Sequence, residues 1–308
     1  MLSIVIPAHR GVPRLRCAIT CLIVSLRAVQ KTVEVVIVND GASPAVRECV
    51  EYLAAGSGFH LHVVDTPGKG RSGARNAGAA QAQGDRILFL DSDILAGKDV
   101  IDFHSELGPE SAKLIFRGPI LHLPWLCAFE DPISGELTED ASRSLRVSSS
   151  NSCLLASRRL SPEALVSPDV LKPLARTPQF QRDLQRWFEQ NPGDRTGSWI
   201  GCTGGQFSIA RNAFERLGGF DEAMGVRWGA EDLEFGYRAV LEGMSVRQSK
   251  TSYCYHMDHT SSGRTGDHEW ALAYFARKHG NDGVMRLLDY FSGKCSMAEA
   301  LEACYAPA

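Results

Sequence analysis

Short apolar runs alternate with longer amphipathic segments through the first 125 residues of this 308-residue chain. This alternation is typical of a parallel β-sheet covered by helices. The apolar stretch Cys17–Val29 is interrupted by polar residues and is too short to cross a bilayer. We therefore predict a buried helix there. Strands are predicted at four apolar runs: Leu2–Ile6, Val33–Val38, Leu61–Val64 and Arg86–Leu90.

Each predicted strand ends in polar or turn-forming residues. In an open α/β sheet, ligands bind beyond the carboxyl ends of the strands. We therefore expect these four strand ends to line one site. The residues concerned are Pro7-Ala8-His9, Asn39-Asp40-Gly41, Asp65-Thr66-Pro67-Gly68 and Asp91-Ser92-Asp93.

The alternation breaks down between Trp125 and Ser198, where six prolines occur, and we interpret this stretch as an irregular or helical insertion. One amphipathic helix is predicted inside it. We expect its apolar stripe to pack against the core rather than to bind a ligand. The stripe is formed by residues at helical spacing: Phe180, Leu184, Trp187 and Phe188.

Regular structure is predicted again after Gly204, with a strand at Phe207–Ile209, a helix near Arg211–Leu217 and a helical region from about His268 onward. No internal repeat is present. The chain is therefore predicted to be an α/β protein with a mostly parallel sheet flanked by helices and a C-terminal helical extension. We divide it into four segments: 1–124, 125–198, 199–260 and 261–308.

Composition narrows the class of protein. The chain is 44% hydrophobic and 22% charged, which is typical of a globular protein. A net charge of -3 without any long run of like charges argues against nucleic-acid binding and against a polybasic membrane contact. Nine cysteines without a C-x-x-C pair, together with a start unlike a signal peptide, predict a cytoplasmic protein with no transmembrane segment.

Two carboxylates follow the most buried of the predicted strands, in the triplet Asp91-Ser92-Asp93. Carboxylate oxygens at a rigid strand end are suitable ligands for Mg²⁺ or Mn²⁺, and such a cation would neutralise a diphosphate. A D-x-D triplet alone favours the alternative, a polar turn that leaves a strand.

A glycine-rich segment, 68–78, begins as a loop and is predicted to continue as a helix of small residues. Arg71 and Arg75 lie four positions apart, so they share a helix face and could hold phosphate oxygens. The alternative is a helix whose glycines allow close packing on the sheet. Asp40, at the end of the second strand, could accept the imide proton of uracil or could form a plain turn with Gly41.

Glu231 and Asp232 open a predicted helix that ends near Gly243. Carboxylates at a helix start are favoured by the helix dipole, so capping is one reading. The other reading is that one of them is a general base that takes a proton from an attacking hydroxyl. The apolar stripe of the helix comprises Leu233, Tyr237, Val240 and Leu241.

Two histidines, His256 and His259, follow the short apolar run that begins at Tyr253. Imidazole nitrogens can join carboxylates around Mn²⁺, although a histidine at a strand end is often structural. The spacing matches no zinc signature, because no cysteine pair or second histidine pair accompanies it.

These motifs, in this order, resemble the nucleotide-sugar-dependent glycosyltransferases of GT-A fold, in particular glycosyltransferase family 2. The likeness covers roughly residues 2–95. It rests on Ser3-Ile4-Val5-Ile6-Pro7-Ala8, Val38-Asn39-Asp40-Gly41, Arg71-x-x-Ala74-Arg75-Asn76-x-Gly78 and Asp91-Ser92-Asp93. A second likeness, to the acceptor half of galactosyl- and N-acetylgalactosaminyltransferases, runs from Gly204-Gly205 through Gly218-Gly219-Phe220-Asp221 to Trp228-Gly229-Ala230-Glu231-Asp232.

The resemblance implies roles for individual residues. Segment 1–124 would bind the nucleotide sugar, and segment 199–260 would bind the acceptor and carry the catalytic base. The base would be Asp232, and Glu231 is the second candidate. Metal ligands would be Asp93 and Asp91 with His256, while His259 is an alternative for the histidine. The expected nucleotide-sugar contacts are Pro7, Asp40, Arg71, Arg75, Asp91, Ser92, Gly204 and Gly205.

The activity implied is transfer of a sugar from a nucleotide diphosphate sugar, with a UDP-sugar expected, to an acceptor hydroxyl, with Mn²⁺ or Mg²⁺ as cofactor. Inversion at the anomeric carbon is expected, although some relatives with a similar acceptor half retain configuration. The sequence does not identify the acceptor, which could be a glycan, a peptide, a lipid or a small natural product. Two alternatives are a sugar-phosphate nucleotidyltransferase and a catalytically silent module that binds a carbohydrate or a partner.

Overall fold

The structure is a computed structural model, and it describes residues 1–9, 11–146, 159–224, 227–260 and 264–305. Residues 147–158 of the predicted insertion lie outside these ranges. Twelve strands are found in the described ranges: β1 (Leu2–Ala8), β2 (Val33–Asp40), β3 (Leu61–Thr66), β4 (Arg86–Leu90), β5 (Ile94–Ala96), β6 (Leu114–Arg117), β7 (Ile120–His122), β8 (Phe129–Asp131), β9 (Glu136–Leu137), β10 (Gln206–Ala210), β11 (Ser245–Gln248) and β12 (Cys254–His256).

The same ranges contain twelve α-helices, with short 3₁₀ turns between some of them. They are α1 (Val12–Ala28), α2 (Pro44–Ser57), α3 (Gly70–Gln81), α4 (Lys98–Glu106), α5 (Glu139–Arg146), α6 (Pro162–Val166), α7 (Gln179–Gln190), α8 (Arg211–Arg216), α9 (Glu231–Leu241), α10 (Arg264–His279), α11 (Arg286–Phe291) and α12 (Met297–Ala303).

The central sheet has seven strands in the order β11-β6-β10-β4-β1-β2-β3. Strands β1 to β4 are mutually parallel where they pair, and β10 is antiparallel to both of its neighbours. The four strands predicted from the apolar runs are confirmed, and three of them extend by two residues into the polar ends that follow them. The mostly parallel α/β architecture is therefore confirmed.

Helices cover both faces of this sheet because successive residues of the strands point to opposite sides. Ile4 and Ile37 pack into a cluster with α1 and α2, whereas Val5 and Val36 pack into a cluster with residues of α3, α8 and α9. The predicted buried helix is confirmed as α1, which begins earlier than expected, at Val12. Both faces are thus covered over the central strands.

A smaller sheet of three strands, in the order β5-β12-β7, lies beside the carboxyl ends of the central strands. Strand β5 follows β4 after the triplet 91–93, and it pairs antiparallel with β12. Strand β7 pairs parallel with β12, so that His122 is the register partner of His256. This small sheet joins residues from three distant parts of the sequence.

The helix predicted inside the insertion is confirmed as α7. Leu184 and Trp187 are buried in a cluster with Trp199, and Phe180 and Phe188 are partly buried against it. The described part of the predicted insertion also includes the β8-β9 hairpin and two short helices, α5 and α6, that the apolar pattern did not reveal. These elements are too short to show a clear period.

The helix predicted to begin at Glu231 is confirmed as α9, and Gly243, with a φ of 83°, lies just beyond its end. Leu241, the last residue of the predicted apolar stripe, is 63% exposed. The stripe ends at Val240, where the last turn of the helix leaves the core. Helices α10 to α12 form the C-terminal region, and no helix in the described ranges has the length and apolar character needed to span a bilayer.

Candidate active site

A cavity of about 690 Å³ opens at the carboxyl ends of the parallel strands. Its wall includes the ends of β1, β2 and β4 and the loop after β3, as the sequence pattern predicted. The predicted residues Pro7, Asp40, Arg71, Asp91, Ser92, Asp93 and His259 line it. Parallel strands share one polar edge, so residues from four separate strand ends meet there.

Asp40 lines the cavity and also fixes the start of α3. One carboxylate oxygen accepts hydrogen bonds from the Thr66 hydroxyl, 2.6 Å, and from the Lys69 backbone N–H, 2.7 Å, and the other accepts from the Gly70 N–H, 2.9 Å. A carboxylate at this place satisfies free N–H groups of the first helical turn and is favoured by the helix dipole. Asp40 therefore shapes the loop that borders the cavity. Its contact with a nucleobase stays a prediction.

The two arginines of α3 have different surroundings. Arg71 lines the cavity, whereas the Arg75 side chain is only 1% exposed. Arg75 donates to Asp91 at 2.9 Å and to Glu231 at 3.0 Å, and these carboxylates raise the pKa of its guanidinium even though burial opposes the charge. Arg75 thus links the end of β4 to the start of α9.

Gly204 and Gly205 lie behind this ion pair network. A Cβ atom at Gly204 would stand 2.4 Å from an Arg75 nitrogen, and one at Gly205 would stand 2.7 Å from Ile120. The Gly204 N–H donates to Asp232 at 2.6 Å. Only glycine fits where other side chains approach this closely, so Gly204 lets Arg75 and Asp232 come together and Gly205 leaves room for Ile120.

The start of α9 carries strained backbone. Ala230 has a φ of 61°, in the left-handed region that costs a non-glycine residue about 1–2 kcal/mol. Asp232 follows it, and its carboxylate accepts from the Gly204 and Leu233 N–H groups. Burial raises the pKa of Asp232 to about 7, and the charge of Glu231 adds to the rise. A carboxylate with a pKa near neutrality is suited to exchanging a proton with a bound hydroxyl.

Asp93, His256 and His259 form a compact cluster. The His256 Nε2 and His259 Nε2 atoms lie 3.4 Å and 3.2 Å from the same Asp93 oxygen. Strand pairing produces this proximity, because β5 begins directly after Asp93, it pairs with β12, and the Met257 N–H donates to the Asp93 carbonyl. Burial opposes the charge of Asp93, but hydrogen bonds from both histidines hold its pKa below the usual range.

The cluster fits a divalent cation. One atom from each of the three residues lies within 4.8 Å of the others, and the second Asp93 oxygen is buried without a hydrogen-bond partner among the described residues. One carboxylate and two imidazoles form a donor set that suits Mn²⁺ and other first-row transition metals. Asp91 is not in this cluster and is instead paired with Arg75.

Several residues of the site carried no signal in the sequence pattern. Arg14, Glu130 and Thr260 also line the cavity, as does His9, which belongs to a strand end that the pattern did predict. Arg14 donates to four backbone carbonyls of distant segments, at Leu126, Phe129, Glu130 and Asp258. Contacts between residues far apart in sequence leave no periodicity, so only proximity in the fold reveals them.

Loss of the Arg75 side chain is expected to destabilise the protein. In Arg75→Met, Glu231 and Asp91 lose their shared cation, and breaking a buried ion pair in this way costs about 3–5 kcal/mol of unfolding free energy. Urea denaturation measures the change, with Arg71→Met at the cavity wall as a control that is expected to lose less than about 1 kcal/mol. Equal stability of the two variants would contradict a structural role for Arg75.

Two segments of the chain match family models. Residues 3–102 match the model described as Glycosyl transferase family 2, and residues 191–260 match the model described as N-terminal domain of galactosyltransferase. The resemblance inferred from the motifs is thereby confirmed for both halves of the site. The two matched segments contain the cavity-lining strand ends and the start of α9, respectively.

Curated relatives are named as glycosyltransferases. The uncharacterized glycosyltransferase YfnE of Bacillus subtilis (strain 168) is 24% identical over 293 residues, which are 91% of this chain and 70% of that protein. Validoxylamine A glucosyltransferase of Streptomyces hygroscopicus subsp. jinggangensis is 25% identical over 82% of this chain. The chain spans about half of that enzyme's length, 54%.

Solved structures of glycosyltransferases share the fold. S. aureus TarS 1–349 in complex with UDP-GlcNAc has a TM-score of 0.57 at 17% identity, covering 94% of this chain and 72% of that one. GalNAc-T7 with UDP, GalNAc and Mn²⁺ has a TM-score of 0.54 at 16% identity, covering 90% of this chain and 47% of that one. These similarities show that the chain has the GT-A fold.

Proposed function

We propose that this chain, whose residues 3–102 match glycosyl transferase family 2, transfers a sugar from a nucleotide diphosphate sugar to an acceptor hydroxyl. The observation that carries the proposal is a cluster suited to a cation, formed by Asp93 and His259 at the cavity wall with His256, together with a buried carboxylate of raised pKa, Asp232, at the start of α9. The buried ion pairs of Arg75 connect the two parts.

The donor is proposed to be a UDP-sugar with its diphosphate at the Asp93 cluster. When bound there, Mn²⁺ or Mg²⁺ supplies positive charge that neutralises a diphosphate. Two imidazoles favour Mn²⁺ of these two ions, because Mg²⁺ prefers oxygen ligands. Arg71 at the cavity wall adds a guanidinium that can hold phosphate oxygens. Asp40, at the end of β2 and two strands away from β4 on the same edge of the sheet, is available for the nucleobase.

Asp232 is proposed as the general base. Its pKa of about 7 keeps a substantial fraction ionised at neutral pH, while Gly204 holds one carboxylate oxygen in place. Deprotonation of the acceptor hydroxyl by Asp232 makes the oxygen a better nucleophile at the anomeric carbon. Attack on the face opposite the diphosphate inverts the configuration, so an inverting reaction is part of the proposal.

A thermal-shift panel tests the donor and the cofactor together. We expect UDP with Mn²⁺ to raise the melting temperature by about 5–10 °C at roughly 100 times the dissociation constant, and UDP or Mn²⁺ alone to raise it less. GDP with Mn²⁺ is the matched control for the identity of the nucleobase. A larger shift with GDP would contradict the choice of UDP.

Product analysis separates the activities that share this fold. Release of UDP that depends on an added acceptor hydroxyl supports glycosyl transfer. Formation of a sugar nucleotide from a nucleoside triphosphate and a sugar phosphate would instead identify a nucleotidyltransferase. Binding without turnover across donors and acceptors would identify a silent module.

A further inference from the structure

A second group of polar side chains lies behind the Asp93 cluster. The Nδ1 atoms of His256 and His122 lie 2.6 Å and 2.8 Å from the same Asp258 oxygen, Oδ1. His256 thus has a partner on each side, Asp258 at Nδ1 and Asp93 near Nε2. Asp258 carries no role in the function proposed above, and nothing in the local sequence pattern singled it out.

The backbone fixes this arrangement on two sides. His122 and His256 are register partners in adjacent parallel strands, and their rings lie 4.7 Å apart with an angle of 31° between their planes. Arg14 donates to the Asp258 backbone carbonyl at 3.2 Å, which ties the residue after β12 to α1. The Asp258 side chain is 23% exposed, so it meets His256 in a partly buried setting.

Orientation of an imidazole decides whether it can bind a cation. A ring held only at its Cβ can rotate, and either nitrogen can carry the proton in the neutral form. A carboxylate that accepts from Nδ1–H fixes the ring plane and leaves the Nε2 lone pair free for a cation, and loss of such a partner lowers metal affinity about 10- to 100-fold.

We propose that Asp258, itself held by His122, is a positioning residue that orients His256 so that Nε2 faces the cation bound at Asp93 and His259. This inference rests on the proposed cation site. His122 contributes by donating to the same Asp258 oxygen, which keeps that oxygen directed at His256. Asp258 and His122 therefore set the affinity of the site for the cation without touching the sugar donor.

The same three residues, His122, His256 and Asp258, satisfy the distance criterion for a cation site of their own. Their geometry favours hydrogen bonding, because both nitrogens converge on one carboxylate oxygen at 2.6 Å and 2.8 Å. These are the separations of charge-assisted hydrogen bonds. Stoichiometry distinguishes the two readings, since positioning predicts one Mn²⁺ per chain.

Titration of the metal-free full chain with Mn²⁺, followed by the electron paramagnetic resonance signal of free Mn²⁺, measures affinity without any turnover. Asp258→Leu is expected to weaken Mn²⁺ binding about 10- to 100-fold. Asp258→Asn keeps a carbonyl oxygen at the Oδ1 position that can accept from both histidines, so it is expected to recover most of the affinity, to within about tenfold of the unaltered protein. Recovery by asparagine separates positioning from a general structural effect.

A matched control uses the carboxylate partner of Tyr255, the residue before His256 in β12. Asp169 accepts a hydrogen bond from the Tyr255 hydroxyl at 2.7 Å, and Asp169→Leu removes that carboxylate as Asp258→Leu removes the other. Mn²⁺ affinity is expected to be unchanged in Asp169→Leu. Circular dichroism melting shows whether each variant is folded.

Three outcomes overturn the inference in different ways. Unchanged Mn²⁺ affinity in Asp258→Leu, with a large loss in Asp93→Asn, would remove the positioning role and leave the cation site intact. Unchanged affinity in Asp93→Asn would remove the proposed site itself. Two Mn²⁺ per chain, with the second lost in His122→Phe, would make the group behind His256 a cation site.

Discussion

Asp93→Asn is expected to weaken Mn²⁺-dependent UDP binding by at least about 100-fold, which exceeds the 10- to 100-fold effect of losing an outer partner of a metal ligand. The substitution removes the anionic oxygen that faces both His256 and His259, and it leaves an amide whose NH₂ group cannot coordinate a cation. Isothermal titration with UDP in the presence and absence of Mn²⁺ measures the effect. We expect transfer activity to fall with the binding.

A control for Asp93 exists at the other end of the same strand. Asp85 precedes β4, is exposed and pairs only with the chain's amino terminus and nearby backbone in the described residues. Asp85→Asn changes the charge equally, and exposed ion pairs contribute little, so Mn²⁺-dependent UDP binding should be retained. If Asp93→Asn binds UDP and Mn²⁺ as well as Asp85→Asn does, the assignment of Asp93 is wrong.

Asp232→Asn is expected to retain UDP and Mn²⁺ binding and to lose about 100- to 10,000-fold in kcat. The amide cannot accept the proton of the acceptor hydroxyl, whereas it can still accept the hydrogen bond from the Gly204 N–H. Single-turnover transfer from the donor, measured beside equilibrium binding of UDP, separates the two properties. Near-normal turnover would exclude Asp232 as the base.

The pH dependence of kcat/KM gives the same assignment a second test. A general base acts when it is deprotonated, so a base with a pKa of about 7 makes kcat/KM rise about tenfold per pH unit below pH 7 and level off above it. The negative charge of Glu231 contributes to the raised pKa. Glu231→Gln is therefore expected to move this rise to lower pH.

Glu231→Gln also discriminates between the two candidate bases. If Asp232 is the base, the Glu231 variant keeps measurable turnover with a displaced pH profile. If Glu231 is the base, turnover is lost in Glu231→Gln and persists in Asp232→Asn. Because Glu231 also pairs with Arg75, its stability should be measured by urea denaturation beside the kinetics.

Local pattern was sufficient for the part of the cavity wall that the strand ends form. The four predicted strands are confirmed, and their polar ends meet at one cavity because parallel strands expose their carboxyl ends at the same edge. Pro7, Asp40, Asp91, Ser92 and Asp93 were placed by that reasoning alone. An apolar stretch likewise located α1, and apolar periodicity located α7 and α9, although Leu241 at the end of the α9 stripe is exposed.

The sequence by itself determined which segments are strands and helices, because burial on one face imposes a period on nearby residues. It also determined that carboxylates stand at the strand ends and that two arginines follow the third strand on one helix face. Partners far apart in sequence leave no such period. Only the tertiary structure brought Arg75 to Glu231, 156 positions away, and paired β5 and β7 with β12 so that Asp93, His122 and Asp258 surround His256.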